Sequence, residues 1–191
     1  LNPRHSSHVI FQDSEHRIWI GTWGYGLTRL TDPYNMEKFA PVLYTHSDTD
    51  PHSLLDNIVY AIAQDRNTGK IWVGSRSGLS ILNYVDNPSS FTNYTPENEK
   101  DKLPFNEVNS IICTNDRLMW LGMLGGGVCM VNTHRTPFRL DPLETVQKRY
   151  LTSSVRCIYQ DDHEKFWLGI MGFGLIYYDR NTKTFIHYTE H

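Results

Sequence analysis

The stretch Gly21–Gly26, GTWGYG, lies between two apolar runs. A glycine-rich turn of this kind can cradle a phosphate when it joins a strand to a helix, because its backbone amides converge on the anion. Other residues with chemical potential are scattered along the chain. His5 and His8 are the closest pair among nine histidines, and the cysteines are Cys113, Cys129 and Cys157. Asp13, Asp65 and Asp161 are carboxylates that a glycosidase or lyase could pair for acid–base work.

None of these readings survives a look at what surrounds the residues. GTWGYG does not match the dinucleotide fingerprint, and no stretch of 3.6-residue periodicity follows it. An odd cysteine count without a CxxC pair gives neither a zinc site nor a disulfide framework, so each cysteine is expected to be a small buried hydrophobe. His5 and His8 do not make a metal site by themselves. No cofactor or metal is expected.

What explains the glycine turn is repetition, which decides the whole fold when present. WIGTWGYGL from Trp19 returns as WVGSRSGL at Trp72, WLGMLGGGV at Trp120 and WLGIMGFGL at Trp167, at intervals of 53, 48 and 47 residues. Upstream of each stands a matched segment: HVIFQD ending at Asp13, VYAIAQD at Asp65, VNSIICTN at Asn115 and VRCIYQD at Asp161. Downstream comes an aromatic pair in FAPVLY, FTNY and TFIHY, incomplete as TPF in the third copy. An aspartate that recurs at one repeat position serves a turn, where its side chain bonds nearby amides, rather than catalysis.

Each repeat reads as four short strands with turn signals between them. In the first, the strands fall at Val9–Gln12, Ile18–Thr22, Gly26–Leu30 and Phe39–Tyr44. The second strand is apolar at nearly every residue (IWIG, IWVG, MWLG, FWLG), the mark of a strand covered on both faces. Four-stranded units of about 50 residues with covered inner strands describe an all-β fold, a β-propeller of four antiparallel blades. The blades are expected at about 8–46, 57–95, 106–140 and 153–189 of a propeller fragment covering 1–191. The blade motif is Trp19 with Gly21, Trp72 with Gly74, Trp120 with Gly122 and Trp167 with Gly169. The tryptophan fills the space between blades and the glycine admits a neighbouring backbone. Truncating Trp72 or Trp167 is expected to cost about 3–5 kcal/mol.

Up-and-down strand order puts the turns between second and third strands on one face of the ring, together with the long connectors THSDTDPHSLLDN, TPENEKDKLPFNE and DPLETVQKRYLTSS. Long loops on a rigid scaffold usually carry binding. The candidate ligand-binding residues on this face are Trp23, Tyr25, Arg76, Met171 and Phe173. Met123 and Leu124 stand in the third such turn.

The pattern V-x-x-I-x-x-D, [IL]-W-[IVL]-G-[TS], G-L, F-x-x-Y resembles the two-component regulator propeller repeat, most closely in VIFQDSEHRIWIGTWGYGLTRL and VRCIYQDDHEKFWLGIMGFGLIYYD. The second copy is one residue short before its G-L pair. The third has Asn115 in place of the aspartate and Val128 in place of leucine. The resemblance implies the periplasmic sensor region of a hybrid two-component histidine kinase of gut Bacteroidetes. Such a region detects glycan-derived oligosaccharides or another small ligand and switches on polysaccharide-utilisation genes through a membrane helix and a kinase core. The kinase motifs are not in this chain, so the fragment is not expected to be an enzyme.

Net charge is −3 and the 18 basic residues form no run, which argues against a nucleic-acid partner. No window of about 18 apolar residues suggests contact with a membrane. Family propellers usually have about seven blades, so the chain reads as an excerpt. A closed four-bladed ring, an open arc and a two-chain eight-bladed ring all remain open, and self-association or the parent's remaining blades are the expected partners. Two other functions stay in play: a protein-interaction platform and a propeller enzyme. AQDRNTGKIW, Ala63–Trp72, also looks like a quinoprotein repeat, although the other copies lack its Thr-Gly-Lys.

Overall fold

The computed structural model describes residues 6–31, 41–133, 138–140 and 153–189. Among the described residues sixteen strands form four antiparallel four-stranded sheets, each in sequence order. Blade 1 holds β1 (Ser7–Gln12), β2 (Ile18–Thr22), β3 (Leu27–Leu30) and β4 (Pro41–Tyr44); blade 2 holds β5 (Val59–Gln64), β6 (Ile71–Ser75), β7 (Gly78–Leu82) and β8 (Phe91–Tyr94). Blade 3 holds β9 (Val108–Cys113), β10 (Met119–Met123), β11 (Gly127–Val131) and β12 (Arg139–Leu140); blade 4 holds β13 (Val155–Gln160), β14 (Phe166–Ile170), β15 (Gly174–Asp179) and β16 (Thr184–Tyr188). The expected start of the fourth strand at Phe39 lies outside the described residues. Met123 belongs to β10 and is fully buried, not part of the turn that follows.

Register sorts every blade into two faces, because side chains alternate along a strand. In blade 1 the rows Val9–Gly21–Leu27–Tyr44 and Phe11–Trp19–Arg29–Val42 share one face. That face meets blade 2, whose Ile62, Ile71, Val73, Leu82 and Phe91 complete the core with Trp19, Leu27 and Tyr44. The same seam recurs between blades 2 and 3, around Trp72, Leu79, Ile111 and Leu121. It recurs again between blades 3 and 4, around Trp120, Val128, Ile158 and Phe166. Glycine at the second motif position is dictated by these seams. A Cβ on Gly74 would stand 2.7 Å from the carbonyl oxygen of Val108 and 2.8 Å from its Cγ1, both in the next blade. Leu54 and Leu103, from connectors that read as polar, are fully buried in the first two seams.

Among the described residues no such seam joins blade 4 to blade 1. The described residues of one copy therefore form an open arc of four blades rather than a closed four-bladed ring. Ile10 is 67% exposed while its register equivalents Ile62, Ile111 and Ile158 are 5–7% exposed, because among the described residues no blade packs on that face of blade 1. At the other end Tyr159, Ile186 and Tyr188 are exposed, and Trp167 is only partly covered, packing against Tyr177 and Tyr188 of its own blade. Cys157 lies on this uncovered face beside Gly169 and is exposed, contrary to the expectation of a buried thiol. Cys129 is buried in a seam, and desolvation pushes its thiol up to about 12.

The recurring aspartates are turn residues. Asp13 Oδ1 accepts the amides of Glu15 and Arg17, and Asp161 Oδ1 accepts those of His163 and Lys165. Their second oxygens accept the indole N–H of Trp19 and Trp167. In blade 3 it is Thr114, not Asn115, that takes this place. The Thr114 amide bonds to the Leu118 carbonyl just as Asp13 bonds to Arg17 and Asp161 to Lys165. The left-handed residue falls three positions later in each, at His16, Arg117 and Glu164. Threonine cannot reach the indole, so Trp120 Nε1 has no partner. In blade 2 the turn is one residue longer, closed by Asp65 with Lys70, and Asp65 Oδ2 accepts Thr68 Oγ1 instead. Trp72 Nε1 is likewise unpartnered.

Candidate functional site

One irregularity recurs at the start of every inner strand. Pairing slips between Ser7 and Val9, Val59 and Ala61, Val108 and Ser110, and Val155 and Cys157. Each slip is a β-bulge that leaves one residue out of the ladder: His8, Tyr60, Asn109 and Arg156. Bulges re-aim a side chain, and these four stand at the same level of four adjacent inner strands. Above them, Trp23, Arg76, Leu124 and Met171 occupy equivalent places in the loop-face turns. The amide of each donates to the carbonyl of the residue before the inner strand of its own blade: Ser6, Ile58, Glu107 and Ser154.

The two tiers touch. The rings of His8, Trp23 and Tyr60 form a triangle with centroid separations of 5.9, 5.5 and 5.6 Å. Trp23 is 52% exposed, so one side of this cluster faces solvent. Arg76 Nε donates to Asp56 Oδ2 at 3.1 Å, and Ser77 Oγ donates to the same oxygen. Burial, then the charge of Glu107 and its hydrogen bond, hold the Tyr60 hydroxyl above its usual pKa. Further round, Arg156 Nη2 lies 3.3 Å from Met171 Sδ and Arg156 Nη1 lies 3.4 Å from Asn109 Oδ1. Asn109 is buried and its Nδ2 has no partner.

Of the five residues named from sequence, Trp23, Arg76 and Met171 stand at one repeat position and belong to this band. Tyr25 is half exposed in the same turn as Trp23, its amide bonded to Thr22 Oγ1. Phe173 packs against the core of the third seam, which makes its ring chiefly a packing element. The sequence reading missed His8, Tyr60, Asn109 and Arg156. The one sequence signal is that the second residue of each inner strand is polar or aromatic. The band offers aromatic faces in blades 1 and 2, arginines in blades 2 and 4 and one orphaned amide donor, Asn109 Nδ2, which suits a polar ligand with apolar ring faces. Its acids, Asp56 and Glu107, are engaged by neighbours.

The family model for the two component regulator propeller matches residues 1–24 and 53–77. These segments contain β1–β2 with Trp19 and β5–β6 with Trp72. In these two segments the chain is similar to two-component regulator propeller repeats. Among solved structures, the propeller is similar to the extracellular domain of a hybrid two-component system from B. thetaiotaomicron, at 25% identity and a TM-score of 0.71, covering 93% of this chain and 22% of that one. The extracellular domain of a second such system from the same organism aligns at 20% identity with a TM-score of 0.56, covering 98% and 28%. PorZ, a surface component of the type-IX secretion system of Porphyromonas gingivalis, shares the fold at 16% identity and a TM-score of 0.63, covering 97% and 27%. The chain thus spans about a quarter of the length of these proteins. No curated protein sequence matches it.

Proposed function

We propose that this propeller is an extracytoplasmic, periplasmic sensing segment of a hybrid two-component sensor histidine kinase, and that the loop-face band receives glycan-derived oligosaccharides. The observation that supports the reading is the two-tier band in which bulged His8, Tyr60 and Arg156 meet the turn residues Trp23 and Met171, in a fold similar to the extracellular domain of a hybrid two-component system. Sugars present hydroxyls around apolar ring faces. The His8–Trp23–Tyr60 cluster supplies the aromatic surface, and Arg76, Asn109 and Arg156 supply donors. Ligand held across adjacent blades changes how the propeller sits in a sensor dimer, biasing a kinase across the membrane and so the transcription of polysaccharide-utilisation genes.

The uncovered faces of blades 1 and 4 take a partner of their own kind: a further blade of the parent protein, or a second copy of the chain. Tyr159, Trp167, Ile186 and Tyr188 repeat the half-seam that Trp19, Trp72 and Trp120 complete elsewhere.

A thermal-shift screen of plant and host oligosaccharides tests the sensing role. A true ligand raises Tm by mass action, and Trp23→Ala or Tyr60→Phe removes that rise without lowering the ligand-free Tm. If no oligosaccharide shifts Tm while a protein partner does, the propeller is an interaction platform and the sensing proposal fails.

A further inference from the structure

The second seam contains a hollow that the other two fill. On the face opposite the band, between blades 2 and 3, lies a pocket of about 160 Å³. Trp72, Ile81 and Tyr94 wall it from blade 2, and Val131, Thr133 and Phe138 from blade 3. Register equivalents show why it is hollow. The residue paired with the motif tryptophan is Arg29 in blade 1 and Ile81 in blade 2. Arg29 extends across the first seam to the Val85 carbonyl and Asp86. In the third seam the space over Trp120 is taken by Arg180, its guanidinium carbon 5.6 Å from the ring centroid and its Nη1 2.7 Å from Asp116. Arg180 stands two residues past the Phe166–Tyr178 pair, and Thr133 stands two past the equivalent Met119–Val131 pair. Short residues therefore occupy both positions from which arginine fills the neighbouring seams.

We propose that this pocket binds one neutral six-membered polyol ring, a single sugar unit or a cyclitol. Its volume is that of a cavity known to hold one benzene-sized ring, about 150 Å³. Three aromatic rings, Trp72, Tyr94 and Phe138, offer surfaces to the C–H face of such a ring, and Tyr94 and Phe138 meet edge to face at 5.0 Å. Asp65, Lys70, Asn83 and Thr92 line the remainder and match hydroxyls. A cation is disfavoured. Asp116, which anchors Arg180 in the third seam, has the neutral Asn67 as its counterpart two residues into the blade 2 turn, and Lys70 places its own ammonium at the pocket, 2.7 Å from Asn83. The longer Asp65–Lys70 turn, distinctive in the sequence as NTGK, is what brings Thr68 and Lys70 to the rim and draws Asp65 away from Trp72.

This inference does not rest on the loop-face reading, and indole N–H signals in two-dimensional NMR separate the two. Titrating the chain with methyl β-glucopyranoside, methyl β-galactopyranoside and myo-inositol should move the Trp72 indole signal saturably at millimolar concentration and leave Trp23 in place. Trp72→Phe assigns the signal. Ile81→Arg and Thr133→Arg, which copy Arg29 and Arg180, should each weaken binding at least tenfold while the far-UV spectrum is retained. The proposal is overturned if no polyol moves Trp72, if binding survives in a folded filled variant, or if only arginine methyl ester binds. If neither filled variant folds, the wild-type titration decides by which indole responds.

Discussion

Trp19 and Trp72 occupy the same place in successive blades and are 0% and 3% exposed, yet their indole N–H groups have different fates. Trp19 Nε1 donates to Asp13 Oδ2 at 2.8 Å, and Trp72 Nε1 has no partner. Replacing each by phenylalanine removes the same buried atoms, but Trp72 already borders a hollow and its N–H bonds to nothing, so every term makes Trp19→Phe the costlier change. The part of the difference that belongs to Asp13 is one hydrogen bond to a charged acceptor, worth about 1.5–3 kcal/mol. Asp13 keeps Arg17 at 2.6 Å and two amides, which places the difference near the lower end, about 1.5–2 kcal/mol. Trp19→Phe should therefore unfold about 3–8 °C below Trp72→Phe. The gap should also depend on pH. Burial opposes ionisation of Asp13, but the bonds from Trp19 and Arg17 outweigh it and hold the carboxyl below its ordinary 3.8. A carboxyl lowered in the folded state stabilises above its unfolded pKa, and that stability is lost as pH falls through the folded value. The two variants should converge on acidification below pH ~3.8. Urea unfolding followed by far-UV circular dichroism, at neutral and acid pH, measures both effects. Equal costs at pH ~7, or a gap unchanged on acidification, would refute the assignment of the Trp19–Asp13 bond as the difference.

Further expectations follow from the same seams. Gly74→Ala forces a Cβ against the backbone of Val108 and should destabilise by about 1–3 kcal/mol in urea melts. Gly169→Ala meets only the Cys157 side chain on the uncovered face and should cost less than about 1 kcal/mol. In the native protein an aromatic disulfide reagent should label Cys157 first and Cys129 only on unfolding, as exposure and the raised thiol of Cys129 require. The Lys165 ammonium, 2.7 Å away, holds Asp179 at about 2. A carboxyl NMR titration should show Lys165→Met returning Asp179 toward 3.8, and the ion pair's contribution, present above pH ~4, should fade in the wild type as pH falls toward about 2.

The repeats made the architecture readable, because each blade writes the same demands into its own segment. A strand covered on both faces needs a continuous apolar run, a three-residue turn needs a capping side chain, and a backbone-to-blade contact needs glycine. IWIG, IWVG, MWLG and FWLG state those demands four times over. Trp23, Arg76 and Met171 could be placed on one face for a similar reason, since strand order alone assigns turns to the ends of a blade. The bulged His8, Tyr60, Asn109 and Arg156 were not readable. A bulge changes pairing between strands, and a polar or aromatic second residue in each inner strand does not by itself record how its partner is paired.

What the chain could not encode locally was decided between blades. Trp19, Trp72, Trp120 and Trp167 are alike in sequence, but three are buried and one is partly open, because burial depends on whether another blade follows. Thr114 rather than Asn115 holds the turn because backbone hydrogen bonds, not letter-by-letter alignment, fix its length. Ile81 and Thr133 look unremarkable apart. Only the packing of blade 3 onto blade 2 brings two short side chains over the same tryptophan and leaves a ring-sized space, since a cavity is a property of what two surfaces together fail to fill.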